Sequence, residues 1–117
     1  AVLNVARDSM AATGFSPATR VFEAAGAGGC LITDHWEGIE LFLSPGDEVL
    51  VARDGQDVAD LLTGLPPERF GQIGQAALRR VLAEHTYDRR AAQLHRVLTA
   101  AAAHARDAAA PRTEIAR

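Results

Sequence analysis

Three short apolar runs constrain this chain more than anything else in it: Ala1-Val2-Leu3-Asn4-Val5, Cys30-Leu31-Ile32-Thr33 and Val49-Leu50-Val51-Ala52. Each is too short for a stable helix and is apolar without clean alternation, the pattern of a strand buried on both faces. Helical signals fill the intervals. Ser16-Pro17 reads as a helix start, a hydroxyl cap followed by a ring preset for the first turn. Val21, Phe22 and Ala25 then give that helix an apolar face as far as about Ala27, and Gly26, Gly28 and Gly29 end it. Asp34 to Leu43, with Trp36, Ile39, Leu41, Phe42 and Leu43, predicts a second short helix, and Ser44-Pro45-Gly46-Asp47 a turn. The polar stretch from Arg7 to Pro17 reads as a loop. Strands alternating with helices imply a parallel sheet with helices on its faces.

The rest of the chain reads as helix. Asp54 caps a helix through Thr63, closed by Gly64, with Val58, Leu61 and Leu62 inward. Pro66-Pro67-Glu68 opens the next, with Phe70, Ile73, Ala77, Val81 and Leu82 on one face. Thr86 caps the last, where Tyr87, Ala91, Leu94, Leu98, Ala101 and Ala105 recur at spacings of three and four. Residues 108–117, with Pro111, read as a frayed tail. The expected fold is therefore α/β: a partial Rossmann-like three-layer domain over 1–107, with a short parallel sheet of about three strands and two long C-terminal helices. Doubly wound folds pair two such halves. This chain reads as one half, and its opening on a strand as a segment of something longer.

Composition narrows the function. Twelve Arg without a Lys, beside 24 Ala in 117 residues, reads as codon bias. A net charge of −3 lacks the basic footprint of a nucleic-acid-binding domain. The single Cys30 excludes an internal disulfide framework and suits packing on a buried strand. His35, His85, His95 and His104 lack metal-ligand spacing, so neither a metal nor a cofactor is expected. No apolar run approaches the ~20 residues of a membrane span. The expectation is a cytoplasmic domain without nucleic-acid partners. Gly26-Ala27-Gly28 fails as a dinucleotide fingerprint, because it ends a helix instead of opening one and Leu31 stands where a third glycine belongs.

The informative stretch runs from Gly14 to Gly28. A helix that opens after a polar loop at the strand ends of a parallel sheet offers free N–H groups to an anion. Arg20, one turn in, can add a guanidinium fork for phosphate, and Glu23 can accept from the vicinal hydroxyls of a ribose. The same two residues also suit a simple i, i+3 surface pair.

From Leu3 to about Leu98 the chain resembles the C-terminal, donor-binding region of glycosyltransferases of the GT-B fold, nearest the spore-maturation (CgeB-like) group. The resemblance rests on Leu3-Asn4-Val5-Ala6-Arg7-Asp8 and on Phe15-Ser16-Pro17-Ala18-Thr19-Arg20-Val21-Phe22-Glu23-Ala24-Ala25-Gly26-Ala27-Gly28. Cys30-Leu31-Ile32-Thr33-Asp34, Trp36-Glu37-Gly38-Ile39-Glu40, Pro45-Gly46, Val49-Leu50-Val51 and His85-Thr86-Tyr87 continue it in register. It implies a nucleotide-sugar (nucleoside diphosphate) donor. Ser16 and Arg20 then face the diphosphate, Glu23 the ribose, and Asp34, Glu37 and Gly38 lie near the donor sugar. It also implies an N-terminal acceptor domain that this chain lacks, and no transferase activity from the chain alone. Related retaining enzymes often carry a second Glu eight residues before the first; here that position is Phe15, so a retaining mechanism does not carry over and the catalytic residues stay unassigned. The competing expectation is a stand-alone, non-catalytic α/β module that associates, as a homodimer or with another protein, through the Ala-rich stripe of its last helix.

Overall fold

A computed structural model describes residues 1–109; positions 110–117, most of the expected tail, lie outside the described residues, while Ala108 and Ala109 belong to the last helix. The chain forms two compact units, Ala1–His85 and one that begins at Thr86. In the first, β1 (Val2–Asn4), β2 (Leu31–Asp34) and β3 (Leu50–Ala52) make a fully parallel sheet in the order β1-β2-β3. Val2 lies opposite Leu31 and Asn4 opposite Thr33, while Ile32 faces Leu50 and Asp34 faces Ala52. The three apolar runs are the three strands, and the fold is the α/β half-sheet that their pattern predicts.

Both faces are covered at β2 and β3, which is why those strands do not alternate; β1 departs from the expected double burial, with Leu3 52% exposed and Val5 just beyond it 70% exposed. Leu31 and Val49 pack with Val21, Ala24, Ala25, Trp36, Ile39 and Leu43 in one layer. Ile32 and Leu50, one residue on, point into a second layer with Cys30, Ala52 and Ile73. One helix touches both layers: α4 (Pro67–Glu84) sends Ile73 into the second and Ala77 and Val81 into the first. It can do so because Gly74 lies against the backbone just before β2; a Cβ there would meet the carbonyl oxygen of Gly28. Gly28 itself, at φ +70°, closes the C-terminus of α2 (Thr19–Gly26), and the N–H groups of Gly28 and Gly29 reach back to Ala25 and Ala24. The glycine run thus serves helix termination and close packing.

Several local expectations are corrected. The stretch expected to be a loop contains α1 (Asp8–Thr13), in which the amides of Met10 and Ala11 donate to the Arg7 carbonyl and which Gly14 ends at φ +66°. None of its residues is buried, so it leaves no apolar periodicity to read. Ser16 is not the cap of α2. The helix begins at Thr19, and Ala18, in extended conformation, supplies the N-cap with no side-chain hydrogen bond. The helix expected over Asp34–Leu43 shrinks to a single 3-10 turn, Ile39–Leu41. Trp36, Ile39 and Leu43 are buried at helical spacing, but Gly38 at φ +89° breaks the path between them. Leu62 on α3 (Gly55–Gly64) and Leu82 on α4 are more than half exposed and so do not belong to inner faces. Asp54 does cap α3, accepting from the amides of Gln56 and Asp57.

The second unit is described to Ala109 and consists of α5 (Tyr87–Ala109). The Thr86 hydroxyl accepts from the Arg89 amide at 3.4 Å, a long capping bond, and Tyr87, Leu94 and Leu98 of the expected stripe are exposed. Among the described residues no helix is long and apolar enough to cross a membrane.

Candidate functional site

A parallel sheet presents its ligand-binding crevice beyond the carboxyl ends of the strands. There, between the exit of β1 and the opening of α2, lies a cleft of about 400 Å³. One wall is Asn4 to Arg7 with Met10 of α1; the other is Pro17 to Arg20 with Glu23 of α2.

The second wall brings together two of the predicted residues. Arg20 is the second residue of α2 and Glu23 lies one turn further, so both face the same cleft. They do not form the i, i+3 pair that their spacing allows. Among the described residues neither side chain takes part in a hydrogen bond or ion pair, whereas Arg53–Asp57, Arg69–Asp47 and Arg80–Glu84 do pair. Ala18 accepts from the Val21 amide at 3.0 Å, and the first-turn amides of Thr19 and Arg20 have no intrahelical acceptor. An uncapped helix start, a guanidinium and a carboxylate thus converge on one space, a set that can hold an anion beside a hydroxyl pair.

The first wall is built by a chain of hydrogen bonds. Asn4 and Thr33 are buried polar residues, at 3% and 0% exposure. Asn4 Nδ2 donates to Thr33 Oγ1 at 3.3 Å, and Thr33 Oγ1 donates to Asp34 Oδ1 at 3.1 Å. The same Asp34 oxygen accepts the Ala6 amide at 2.9 Å. Asp34 therefore lies outside the cleft lining and fixes the segment where the chain leaves β1 and turns towards Arg7.

The remaining predicted residues lie on or against the turn that precedes α2. Phe15 donates its amide to the Glu37 carbonyl at 2.7 Å, and Gly14 packs on the Glu37 side chain. Phe15 is the one non-glycine residue at positive φ (52°) among the described residues, and its ring lies where a side chain on Gly38 would stand. Glu37 and Gly38 thus anchor the turn that leads into α2, and Ser16 is exposed on that turn. Neither Ser16, Glu37 nor Gly38 lines the cleft. Arg7 does, although sequence reasoning passed over it; the signal available was its place three residues beyond the carboxyl end of β1.

Other sites compare poorly. A cleft of about 270 Å³ on the other side of the strand ends includes Asp34, Arg53 and Asp54. There the Arg53 guanidinium is held by both oxygens of Asp57, at 2.7 and 3.0 Å, and Asp54 is occupied in capping α3. Among the described residues no group of three or more His, Cys, Asp or Glu is placed to hold a metal ion. Cys30 is buried at 4% exposure, and burial pushes its thiol above the usual range, the reverse of what a nucleophile needs.

Comparison with family models matches residues 1–96 to a family described as Glycosyl transferase-like. No curated protein and no solved structure matches.

Proposed function

The chain belongs to the glycosyl transferase-like family, and from that premise we propose that the cleft beside β1 is part of a GT-B donor site. It holds the nucleoside diphosphate end of a nucleotide-sugar. The observation that carries this reading is the pairing on one cleft wall of Arg20 and Glu23, both left without partners. The diphosphate sits at the start of α2, on the Thr19 and Arg20 amides and the Arg20 guanidinium, with exposed Ser16 at the rim. The ribose hydroxyls bond to Glu23. Asp34, Glu37 and Gly38 hold the two walls on the side proposed for the sugar.

The parent enzyme transfers the sugar to an acceptor bound by another domain, and its catalytic base comes from there too. The role of this chain is to position the donor and to stabilise the departing diphosphate. By itself it binds and does not transfer. The CgeB-like group is the nearest resemblance within this reading.

The test is isothermal titration with UDP, GDP and ADP. Saturable binding of at least one is expected. Glu23→Ala should weaken it by about tenfold, since a hydrogen bond to a charged group contributes about 1.5–3 kcal/mol and 1.4 kcal/mol is a factor of ten. No saturable binding of any of the three overturns the proposal, and so does full affinity in Glu23→Ala. Turnover of a nucleotide-sugar by the chain alone refutes its assignment as a binding piece.

A further inference from the structure

We propose that Arg7 is a second cationic ligand of this cleft and takes the distal phosphate of the bound diphosphate. The inference rests on the donor-site reading above and extends it across to the facing wall. Arg7 lies on the wall opposite Arg20, is exposed, and among the described residues its side chain has no hydrogen bond or ion pair. Its backbone is held. The preceding amide, of Ala6, donates to Asp34 Oδ1, and the Arg7 carbonyl accepts from Met10 and Ala11 at 2.8 and 2.9 Å. The buried chain Asn4–Thr33–Asp34 thus fixes where this guanidinium starts, and Asp34 is a positioning residue for it.

Charge makes the placement informative. The protein carries a net charge of −3, yet this cleft is lined by two guanidiniums against the single carboxylate of Glu23. One arginine suffices for one phosphate. Two on opposing walls suit an extended anion, and two phosphates in a row supply that length and charge. With Glu23 on the ribose and Arg20 a turn nearer the helix start, the order along the cleft is ribose, proximal phosphate at Arg20, distal phosphate at Arg7. The site then prefers a nucleoside diphosphate over the matching monophosphate, and Arg7 is the residue that sets the preference.

The experiment titrates the full chain and its Arg7→Gln, Arg7→Lys and Glu23→Ala variants with UDP, GDP, ADP and the matching monophosphates, each protein first checked for an unchanged thermal transition. Arg7→Gln should weaken diphosphate binding about tenfold, the scale of one charge-assisted hydrogen bond to phosphate, and leave the monophosphate within about twofold. Arg7→Lys should recover part of the loss. If wild type binds and Glu23→Ala weakens it, but Arg7→Gln matches wild type, the Arg7 assignment is overturned and the donor-site reading stands. Equal losses for diphosphate and monophosphate in Arg7→Gln also overturn it. If wild type binds none of these nucleotides, the donor-site reading fails and takes the Arg7 assignment with it.

Discussion

Two glycines three residues apart on α4 should respond to the same substitution with opposite signs. In an exposed helix interior Gly→Ala stabilises by about 0.5–1 kcal/mol, because alanine loses less backbone entropy on folding. Gly71 meets that condition, since an added Cβ finds nothing within 4 Å. At Gly74 the added atom would press on the Gly28 carbonyl oxygen, lie 2.9 Å from the Gly28 carbonyl carbon and 3.1 Å from the Cys30 nitrogen. These are backbone atoms leading into the central strand, so no side chain can swing aside. Overpacking of this kind costs about 1–3 kcal/mol, more than the propensity gain. Gly71→Ala should therefore raise the urea midpoint and Gly74→Ala lower it. For a cooperative unit of 60–100 residues, each kcal/mol is worth about 4–8 °C in melting temperature, so calorimetry can separate the two variants. A neutral or stabilising Gly74→Ala would refute the close approach of α4 to the amino end of β2.

Other perturbations test the walls and the core. Asp34→Ala removes the acceptor of two donors, the Ala6 amide and the Thr33 hydroxyl; it should cost about 1–3 kcal/mol in denaturant titration, with Asp34→Asn restoring most of it. Ile73→Ala empties a fully buried position in the second layer and should cost about 2–5 kcal/mol by the same measurement. Arg53 holds the Asp57 carboxyl at about 2, below its ordinary 3.8. Because the folded value is the lower one, this pair stabilises the protein above pH ~4 and is lost as pH falls towards about 2. Asp57→Asn should flatten that part of the acid-unfolding curve. Cys30 should react with a thiol reagent at the rate of unfolding, and burst labelling of native protein would contradict its burial.

The centre of the sheet was legible because a strand covered on both faces carries its burial in the sequence, as Leu31 and Ile32 do by pointing into different layers, whereas the apolar run of β1 leaves Leu3 more than half exposed. Elements without burial were not legible. The helix Asp8–Thr13 buries no side chain and is held by the Arg7 carbonyl alone at its start, so its residues read as a polar loop. The stretch 34–43 failed for the opposite reason. Its apolar spacing imitates a helix, while one left-handed glycine, Gly38, redirects the chain. The site divides in a similar way. Arg20 and Glu23 share a helix, so their spacing alone places them on one face, and both line the cleft. Ser16, Asp34, Glu37 and Gly38 depend on how separate loops meet, which spacing does not encode, and they lie around the cleft without lining it. Arg7 lines the cleft from a segment that Asp34, 27 positions later in the chain, holds at the neighbouring amide.

That α4 reaches both layers has a kinetic consequence. Where each face of a sheet is covered by its own helices, one layer can open while the other stays shut, and the amides beneath exchange in two classes. Here Ile73, Ala77 and Val81 lie on one rigid helix. Opening either layer disturbs the other, because the helix cannot let go of one alone. The amides of β2 should therefore exchange as a single set with the free energy of global unfolding, and partial opening is left to the edges, β1 and β3. The first cleft wall grows from such an edge, so a nucleotide that settles there should slow exchange at Asn4 to Arg7 well before it alters the centre of the sheet.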